Sequence, residues 1–165
     1  MNVIVKRVSD SSLMQRACEM TMKGKASKMT LRKIYECEHS PIRCCLFWVE
    51  MLNIPTFVSV HLVRHSIGVT HYVESNRDDR GGVQADRMTP VNHGMLLNAQ
   101  TLINMARKRL CTNAHEETRK VMGLIKEEVG KIDPDLASFM VRDCEYRGKC
   151  CELKRCGYFE NCKAK

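Results

Sequence analysis

Residues 54–77 constrain the fold more than any other segment, because an apolar run passes directly into a dense group of polar and charged residues. Asn53 and Pro55 predict a helix start, with Asn53 as the N-cap and Pro55 in the first turn, where its missing N–H costs nothing. The residues that follow at spacings of three and four share one face of that helix: Phe57, Val58, His61, Leu62 and His65.

The second half of this segment carries most of the polar groups. After Gly68 the pattern predicts an extended chain, with Ser75 and Arg77 two residues apart on one side of a strand. The segment as a whole holds His61, Arg64, His65, His71, Glu74, Ser75 and Arg77. This combination of imidazole, guanidinium and hydroxyl groups indicates a site for an anion beside a flat ring.

The size and charge of the chain narrow the class of protein. A length of 165 residues is enough for one domain with a real core. The formal net charge of +8 favours anionic ligands such as nucleotides, or nucleic acid, although solvated surface cations are an alternative explanation. We find no secretory apolar region after Met1 and no membrane-spanning run, and so expect a cytosolic protein without a membrane partner.

The first third of the chain alternates strand and helix signals. Residues 2–8 alternate apolar and polar side chains and predict a strand, and residues 9–12 offer N-caps for a helix. The predicted buried face of that helix carries Leu13, Ala17 and Met20. A basic loop at 23–28 precedes a short helix at 30–36 and an apolar, aromatic strand at 42–52.

The second half of the chain is predicted to be mostly helical. Apolar spacing and a cationic end predict a helix over residues 95–110. Thr112 or Asn113 is the expected cap of the next helix, and Asn113 lies three residues before a glutamate, which is capping-box spacing. Asp133, followed by proline, predicts the start of one more short helix.

Residues 54–77 resemble the signature stretch of flavin-dependent thymidylate synthases. That signature reads Arg-His-Arg, seven residues, then Ser, whereas this chain has Arg64-His65-Ser66, eight residues, and Ser75. Three further stretches resemble the family. They are the Glu38-His39 step, the segment in which Arg87 precedes Pro-Val-Asn, and a helix that carries Asn98, Ala99, Asn104 and Arg109, with Gln100 in place of an arginine.

The resemblance implies a fold, a reaction and a set of site residues. The fold is α+β, a small mixed sheet packed by helices, in a homotetramer whose sites are shared between subunits. The implied reaction is flavin-dependent methylation of deoxyuridine monophosphate (dUMP) or a related pyrimidine nucleotide, with FAD as cofactor and with methylenetetrahydrofolate and NADPH as co-substrates. The implied catalytic residues are Ser75 and Arg109. The implied FAD contacts are His39, Arg64, His65, Asn98 and Asn104, and the implied substrate contacts are His61, Glu74, Arg77, Arg87 and Arg109.

Two departures from the family pattern keep other functions open. Ser66 and Gln100 each stand where the family has a cation near the flavin, and losing two such contacts at about 1.5–3 kcal/mol each weakens FAD binding by orders of magnitude. One alternative is a non-catalytic nucleotide-binding or nucleic-acid-binding protein on the same fold. Another is a nucleotide-modifying enzyme that uses a different one-carbon donor.

The tail, residues 141–165, is a separate basic and cysteine-rich segment that follows a synthase-like core at 1–140. Its cysteines at six-residue intervals offer four thiolates to a tetrahedral zinc ion: Cys144, Cys150, Cys156 and Cys162. Free thiols and redox disulfides are the alternatives, because no Cys-x-x-Cys pair is present. Aromatic residues among the tail's cations also suit stacking on the bases of a nucleic acid.

Overall fold

The computed structural model describes residues 1–23, 29–82 and 84–163, with side chains up to residue 160. The predicted basic loop at 23–28 therefore lies almost wholly outside the described residues. The strands are β1 (Asn2–Arg7), β2 (Leu46–Pro55), β3 (Val69–Val73) and β4 (Pro90–Asn98). The α-helices are α1 (Ser11–Thr21), α2 (Leu31–Glu36), α3 (Thr56–Val63), α4 (Ala99–Arg109), α5 (Glu116–Ile132), α6 (Pro134–Phe139), α7 (Asp143–Arg147) and α8 (Tyr158–Lys163). Short 3₁₀ helices span Ser40–Cys44 and Asp78–Arg80.

The four strands form one sheet in the order β1-β2-β4-β3. All three pairings are antiparallel, so the sheet is not the mixed one expected from sequence, although the predicted α+β class is confirmed. The inner face follows the period of two that a half-buried sheet requires, with Phe47, Val49 and Met51 buried on β2 and Met95 and Leu97 buried on β4. Helices pack this face and complete one continuous core.

The sheet's central pair differs from the prediction at both of its helix junctions. β2 continues through Asn53, which adopts a left-handed φ of 55° at an irregularity in the strand register, and the helix starts only after Pro55. Likewise β4 runs to Asn98, so residues 95–98 are strand rather than the first turn of the predicted helix. At both junctions, apolar strand residues are followed directly by apolar helix residues. A short apolar run is found in strands and in helices alike, so it does not show where the strand ends.

Three other local predictions were wrong. In α1 the buried residues are Met14 and Cys18, while Leu13 and Met20 face solvent. His115, rather than Thr112 or Asn113, caps α5. β3 ends at Val73, so Ser75 and Arg77 lie in a loop instead of on one side of a strand.

The buried carboxylate of Asp133 links the helices to the edge strand β1. Asp133 caps α6 by accepting a hydrogen bond from the Leu136 N–H at 3.0 Å. Its carboxylate also accepts from the Tyr35 hydroxyl at 2.7 Å and pairs with Arg7 at 3.3 Å. Asp133 is 4% exposed, and the side chain of Arg7 is 24% exposed. One carboxylate therefore joins β1, α2 and α6.

We expect Asp133→Ala to lower the free energy of unfolding by about 3 kcal/mol, because it removes a helix cap and leaves the Arg7 guanidinium without its partner in a poorly solvated place. Urea denaturation measures the change. The matched control is Asp135→Ala, whose carboxylate is 42% exposed and lies 3.7 Å from Arg32, and which should change stability by about 0.5 kcal/mol or less. Equal effects of the two substitutions would contradict the assigned role of Asp133.

Candidate nucleotide site

Basic and imidazole side chains from four parts of the chain meet beside the C-terminal end of α3. His61 lies in the last turn of α3, and Arg64 and His65 follow directly after it. Arg109 ends α4, and His115 caps α5. Arg87 comes from the loop before β4. We call these six residues the cationic cluster; it contains five of the site residues expected from sequence, together with His115, which sequence reasoning did not assign.

The electrostatics of His61 show that the cluster is shared by these elements. Burial lowers the pKa of His61, and the charges of Arg109 and Arg64 lower it further, followed by smaller effects of His115 and Arg87. Burial also lowers the pKa of Arg109, with a further contribution from Arg64. Among the described residues, no carboxylate forms an ion pair with Arg64, Arg87 or Arg109. The positive charge of the cluster is therefore not neutralised within the described part of the chain.

An aromatic ring forms one side of the cluster. The Arg87 guanidinium lies 5.0 Å from the centre of the Phe57 ring. The His115 and His61 rings contact Phe57 edge-on, with centroid distances of 4.5 Å and 5.6 Å. His61 is fixed further by a hydrogen bond of 2.9 Å between its Nδ1 and the Thr118 hydroxyl on α5. Phe57 thus organises α3, α5 and the Arg87 loop around a common surface.

His65 is held in its neutral form. Arg109 Nε donates a hydrogen bond of 2.9 Å to His65 Nε2, so the proton of the neutral imidazole resides on Nδ1. Burial, followed by the Arg109 charge and then His71, lowers the pKa of His65 to about 4. At neutral pH His65 therefore presents an N–H donor to a ligand without adding a positive charge.

A pocket, which we call the α4 pocket, adjoins the cluster on the α4 side. Its volume is about 210 Å³, and it is lined by Arg64, His65, Ser66, Ile67, Thr101 and Asn104. Three of the five expected FAD contacts, Arg64, His65 and Asn104, therefore meet at one pocket. Asn98, a fourth, caps α4 by accepting from the Thr101 N–H at 3.0 Å. His39, the fifth, precedes the short helix Ser40–Cys44 and makes no capping hydrogen bond with its side chain.

Glu38 joins several polar residues beside this pocket. Its carboxylate accepts hydrogen bonds from Gln100, the residue that replaces an expected cation, and pairs closely with Arg107. The Asn104 carbonyl oxygen accepts from both Gln100 and Arg107 at 3.3 Å. The Arg107 guanidinium also lies 3.5 Å from the centre of the Tyr146 ring in the tail. Arg107 is therefore committed to Glu38 and does not replace the missing cation.

Glu74, Ser75 and Arg77 lie in the loop that follows β3, where Glu74 and Arg77 have partners of their own. Arg77 forms a two-pronged ion pair with Asp79 at 2.9 Å and 3.0 Å, and both side chains are exposed. The Glu74 carboxylate accepts from the Asn92 N–H at 2.9 Å. Because β3 ends early, the turn that follows provides Arg77 with an acid of its own, and its role as a substrate contact stays a prediction.

The tail packs against α4, and its cysteines surround a small cavity of about 10 Å³. Cys144, Cys150, Cys151 and Cys156 line this cavity together with Cys111. Within residues 1–23, 29–82 and 84–160, no three His, Cys, Asp or Glu side chains are arranged to hold a metal ion. The side chain of Cys162 lies outside the described residues. The four-cysteine zinc site accordingly stays a prediction.

Neither of the residues that sequence reasoning missed carried a strong signal. His115 was overlooked because the helix start was placed two or three residues early, and a correct α5 boundary would have identified it as the cap. His93 is 1% exposed on β4, in the segment before residue 95 for which no strand was predicted. Its hydrogen-bond partner His71 was noted in the sequence. The two residues belong to different strands, however, and such a long-range contact has no local sequence pattern.

Comparison with known structures gives the fold a precedent. No protein-family profile and no curated protein sequence matches the chain. Among solved structures, the chain is similar to the flavin-dependent thymidylate synthase ThyX from Helicobacter pylori in complex with FAD and dUMP. The TM-score is 0.69 at 12% identity, covering 86% of this chain and 100% of that chain. A second structure of the Helicobacter pylori ThyX with FAD and dUMP gives a TM-score of 0.67 at 13% identity, over 87% of this chain and 98% of that one.

A third similar structure is the UMP/dUMP methylase PolB from Streptomyces cacaoi bound with 5-Br dUMP. Its TM-score is 0.64 at 13% identity, over 84% of this chain and 94% of that chain. The chain therefore has the fold of flavin-dependent thymidylate synthases. None of the helices in the described residues has the length and apolar character needed to cross a membrane.

We expect the protein to lose stability as the pH falls from about 6.5 towards 4. Burial lowers the pKa of both His65 and His93 to about 4, whereas an unfolded histidine has a pKa near 6.5. In that window the unfolded chain binds more protons, so the free energy of unfolding falls by on the order of 1.4 kcal/mol per pH unit for the fully buried His93. Neither histidine contributes a pH dependence above about pH 7.

Urea unfolding between pH 4.5 and 7.5 measures this effect. NMR titration of the histidine C–H resonances assigns it, because carboxylates with lowered pKa values, such as Glu38, also cost stability as they become protonated. A native-state pKa near 6.5 for His93 would contradict the prediction.

Proposed function

We propose that the chain binds a pyrimidine deoxynucleotide and carries out flavin-dependent methylation of dUMP or a related pyrimidine nucleotide. The observation that carries this proposal is the cationic cluster. Three arginines without acidic partners among the described residues all act on His61, and one of them, Arg87, lies over the Phe57 ring, on a fold whose similar structures contain dUMP or a dUMP analogue. Guanidinium groups without carboxylate partners are available to a phosphate.

The nucleotide phosphate is expected to bind at Arg64, Arg87 and Arg109. Each guanidinium offers two or more N–H donors to phosphate oxygens in a forked geometry, and neutral His65 adds its Nδ1–H. The N-terminal end of the 17-residue α5, capped by His115, adds a partial positive charge. The first-turn acids Glu116 and Glu117 weaken this effect only in part, because both are paired with Lys120. The pyrimidine then lies against the His61 and His115 imidazoles, which pack on the buried Phe57 ring.

The FAD proposal rests on the α4 pocket. Arg64 and the Asn104 amide group are donors that suit a diphosphate or the polar edge of a flavin, and the His65 ring and His39 are the additional contacts we propose. When bound, the flavin would supply the reducing equivalent, NADPH would reduce it, and methylenetetrahydrofolate would supply the carbon. Ser66 and Gln100 lower the expected affinity relative to a site with cations at both positions.

Ser75 and Arg109 are the residues we propose to act at the reacting pyrimidine. Arg109 already lies in the cluster, whereas Ser75 belongs to the separate loop that also holds Glu74 and Arg77. A homotetramer with shared sites would resolve this separation, because a second copy would bring its loop to the first copy's cluster. In that arrangement the ligand phosphate or base would compete with Asp79 for Arg77.

A non-catalytic nucleotide-binding protein is the second candidate, favoured by the same two departures, Ser66 and Gln100. Catalysis requires flavin, so a purified protein that binds dUMP but retains no flavin absorption after incubation with FAD and removal of unbound FAD would support this candidate. A nucleic-acid-binding function through the basic tail predicts instead a retention on DNA that weakens steeply with salt.

We expect Arg109→Ala to weaken dUMP binding by about ten- to a hundredfold, which corresponds to about 1.5–3 kcal/mol for the loss of a charge-assisted hydrogen bond to phosphate. Isothermal titration calorimetry measures the affinity. Arg16→Ala is the matched control, since Arg16 is 73% exposed on α1 and pairs only with Glu19 at 3.4 Å. A wild-type protein that binds no pyrimidine nucleotide at millimolar concentration, with or without FAD, would refute both nucleotide proposals.

The shared-site proposal predicts complementation between two defective variants. Arg77→Ala should also weaken dUMP binding, although Arg77 pairs with Asp79 in its own chain. When Arg109→Ala and Arg77→Ala chains are dissociated and reassembled together, some sites combine two intact residues, so a fraction of high-affinity sites should return. Sedimentation should show a tetramer. If the reassembled mixture binds dUMP only as weakly as the two separate variants do, each site is formed by a single chain.

A further inference from the structure

A buried chain of hydrogen bonds runs from α3 across the sheet to the loop that follows α3. The Ser59 hydroxyl lies 3.0 Å from His93 Nδ1. His93 Nε2 lies 3.0 Å from His71 Nδ1, and His71 Nε2 lies 2.7 Å from the backbone carbonyl of His65. Ser59 is 3% exposed and His93 is 1% exposed, so water does not compete for the first of these bonds. None of the three side chains is used by the proposed nucleotide site.

The last bond fixes the direction of the whole chain. A carbonyl oxygen only accepts, so His71 Nε2 must carry a proton. In the neutral ring His71 Nδ1 then accepts, which requires a proton on His93 Nε2. His93 Nδ1 in turn accepts from the Ser59 hydroxyl. All three bonds are satisfied in this order with both imidazoles neutral, and the lowered pKa of His93, caused by burial and by the neighbouring His71, is consistent with it.

This chain holds the carbonyl of His65 in the Arg64–Gly68 loop, while the His65 N–H donates to the Leu62 carbonyl at 3.0 Å. The far end of the loop is tied to α4, where the Thr101 hydroxyl donates to the Ile67 carbonyl at 2.9 Å. At the near end, the His71 imidazole is the hydrogen-bond donor to the His65 carbonyl in the described part of the chain. The backbone of His65 determines where its ring meets Arg109 Nε, at 2.9 Å.

We propose that His71, aligned by His93 and Ser59, is a positioning residue for the nucleotide site. It holds the His65 carbonyl and thereby sets the His65 ring against Arg109 and directs the His65 Nδ1–H towards the ligand. His71 itself touches neither nucleotide nor flavin in this arrangement. The effect on ligand binding rests on the proposed function, whereas the proton order and the loop's anchorage do not.

The first test reads the proton order without any ligand. Two-dimensional ¹H–¹⁵N correlation spectra of histidine-labelled protein at pH 7.5 distinguish the two neutral tautomers of each imidazole. We expect the Nε2–H form at both His71 and His93 and the Nδ1–H form at His65. A dominant Nδ1–H form at either His71 or His93 would overturn the inference, whether or not the protein binds nucleotides.

The second test separates positioning from general damage. His71→Leu removes the donor, and we expect faster amide exchange in residues 64–67 and about tenfold weaker dUMP binding. His71→Gln keeps an N–H group at the place of Nε2 and should restore affinity to within about threefold of wild type. Thr70→Val, on the same strand and exposed, is the control that should leave both readouts unchanged.

The outcomes distinguish the two proposals. If the wild type binds no dUMP but shows the expected tautomers and exchange change, the proposed function fails and the anchorage stands. If dUMP binds but His71→Leu leaves exchange and affinity as in wild type, the positioning role is refuted. Equal loss of affinity in His71→Gln and His71→Leu, with normal thermal stability in both, also refutes it, because the donor then is not what matters.

Discussion

The arrangement of the site depends on one constraint, the way in which the two central strands pass into helices without a linker. β2 ends at Pro55 and α3 begins at Thr56, and β4 ends at Asn98 and α4 begins at Ala99. Because Leu46 pairs with Asn98 and Pro55 with Pro90, the two helices start at opposite ends of the sheet. Both then run back over the core, and the hydrogen bond from Arg109 to His65 marks the place where their ends come together.

Elements with a local sequence signal were predicted correctly, whereas boundaries were wrong where the strand pattern and the helix pattern overlap. The cap Asp133 identified α6, the alternation of residues 2–8 identified β1, and the short helix expected at 30–36 corresponds to α2. By contrast, the end of each central strand is as apolar as the helix that follows, so residues 53–55 and 95–98 were assigned to helices. Register across strands sets these boundaries, and register is a long-range property that a local pattern does not contain.

The residues of the candidate site likewise divide into those that the sequence identified and those that only the structure shows. Arg64, His65, Arg87 and Arg109 were found by motif resemblance, and the structure places all four in one cluster with His61. His115 depends on where α5 begins, and the Ser59–His93–His71 chain depends on the pairing of β3 with β4, so neither was recognisable from spacing alone. Gln100 was recognised as a lost cation, but only the structure shows that Glu38 binds both Gln100 and Arg107.

The charge balance around His65 explains how three arginines remain close together without acids. Two unit charges about 6 Å apart repel by about 3 kcal/mol at an effective dielectric constant of about 20, so each added cation is costly. A protonated His65 would add one more charge within hydrogen-bonding distance of Arg109. Its lowered pKa keeps it neutral, so that it accepts from Arg109 rather than repelling it. The cluster thus carries its guanidinium charges without a further charge from His65, whose neutral imidazole fixes the position of Arg109 through a hydrogen bond.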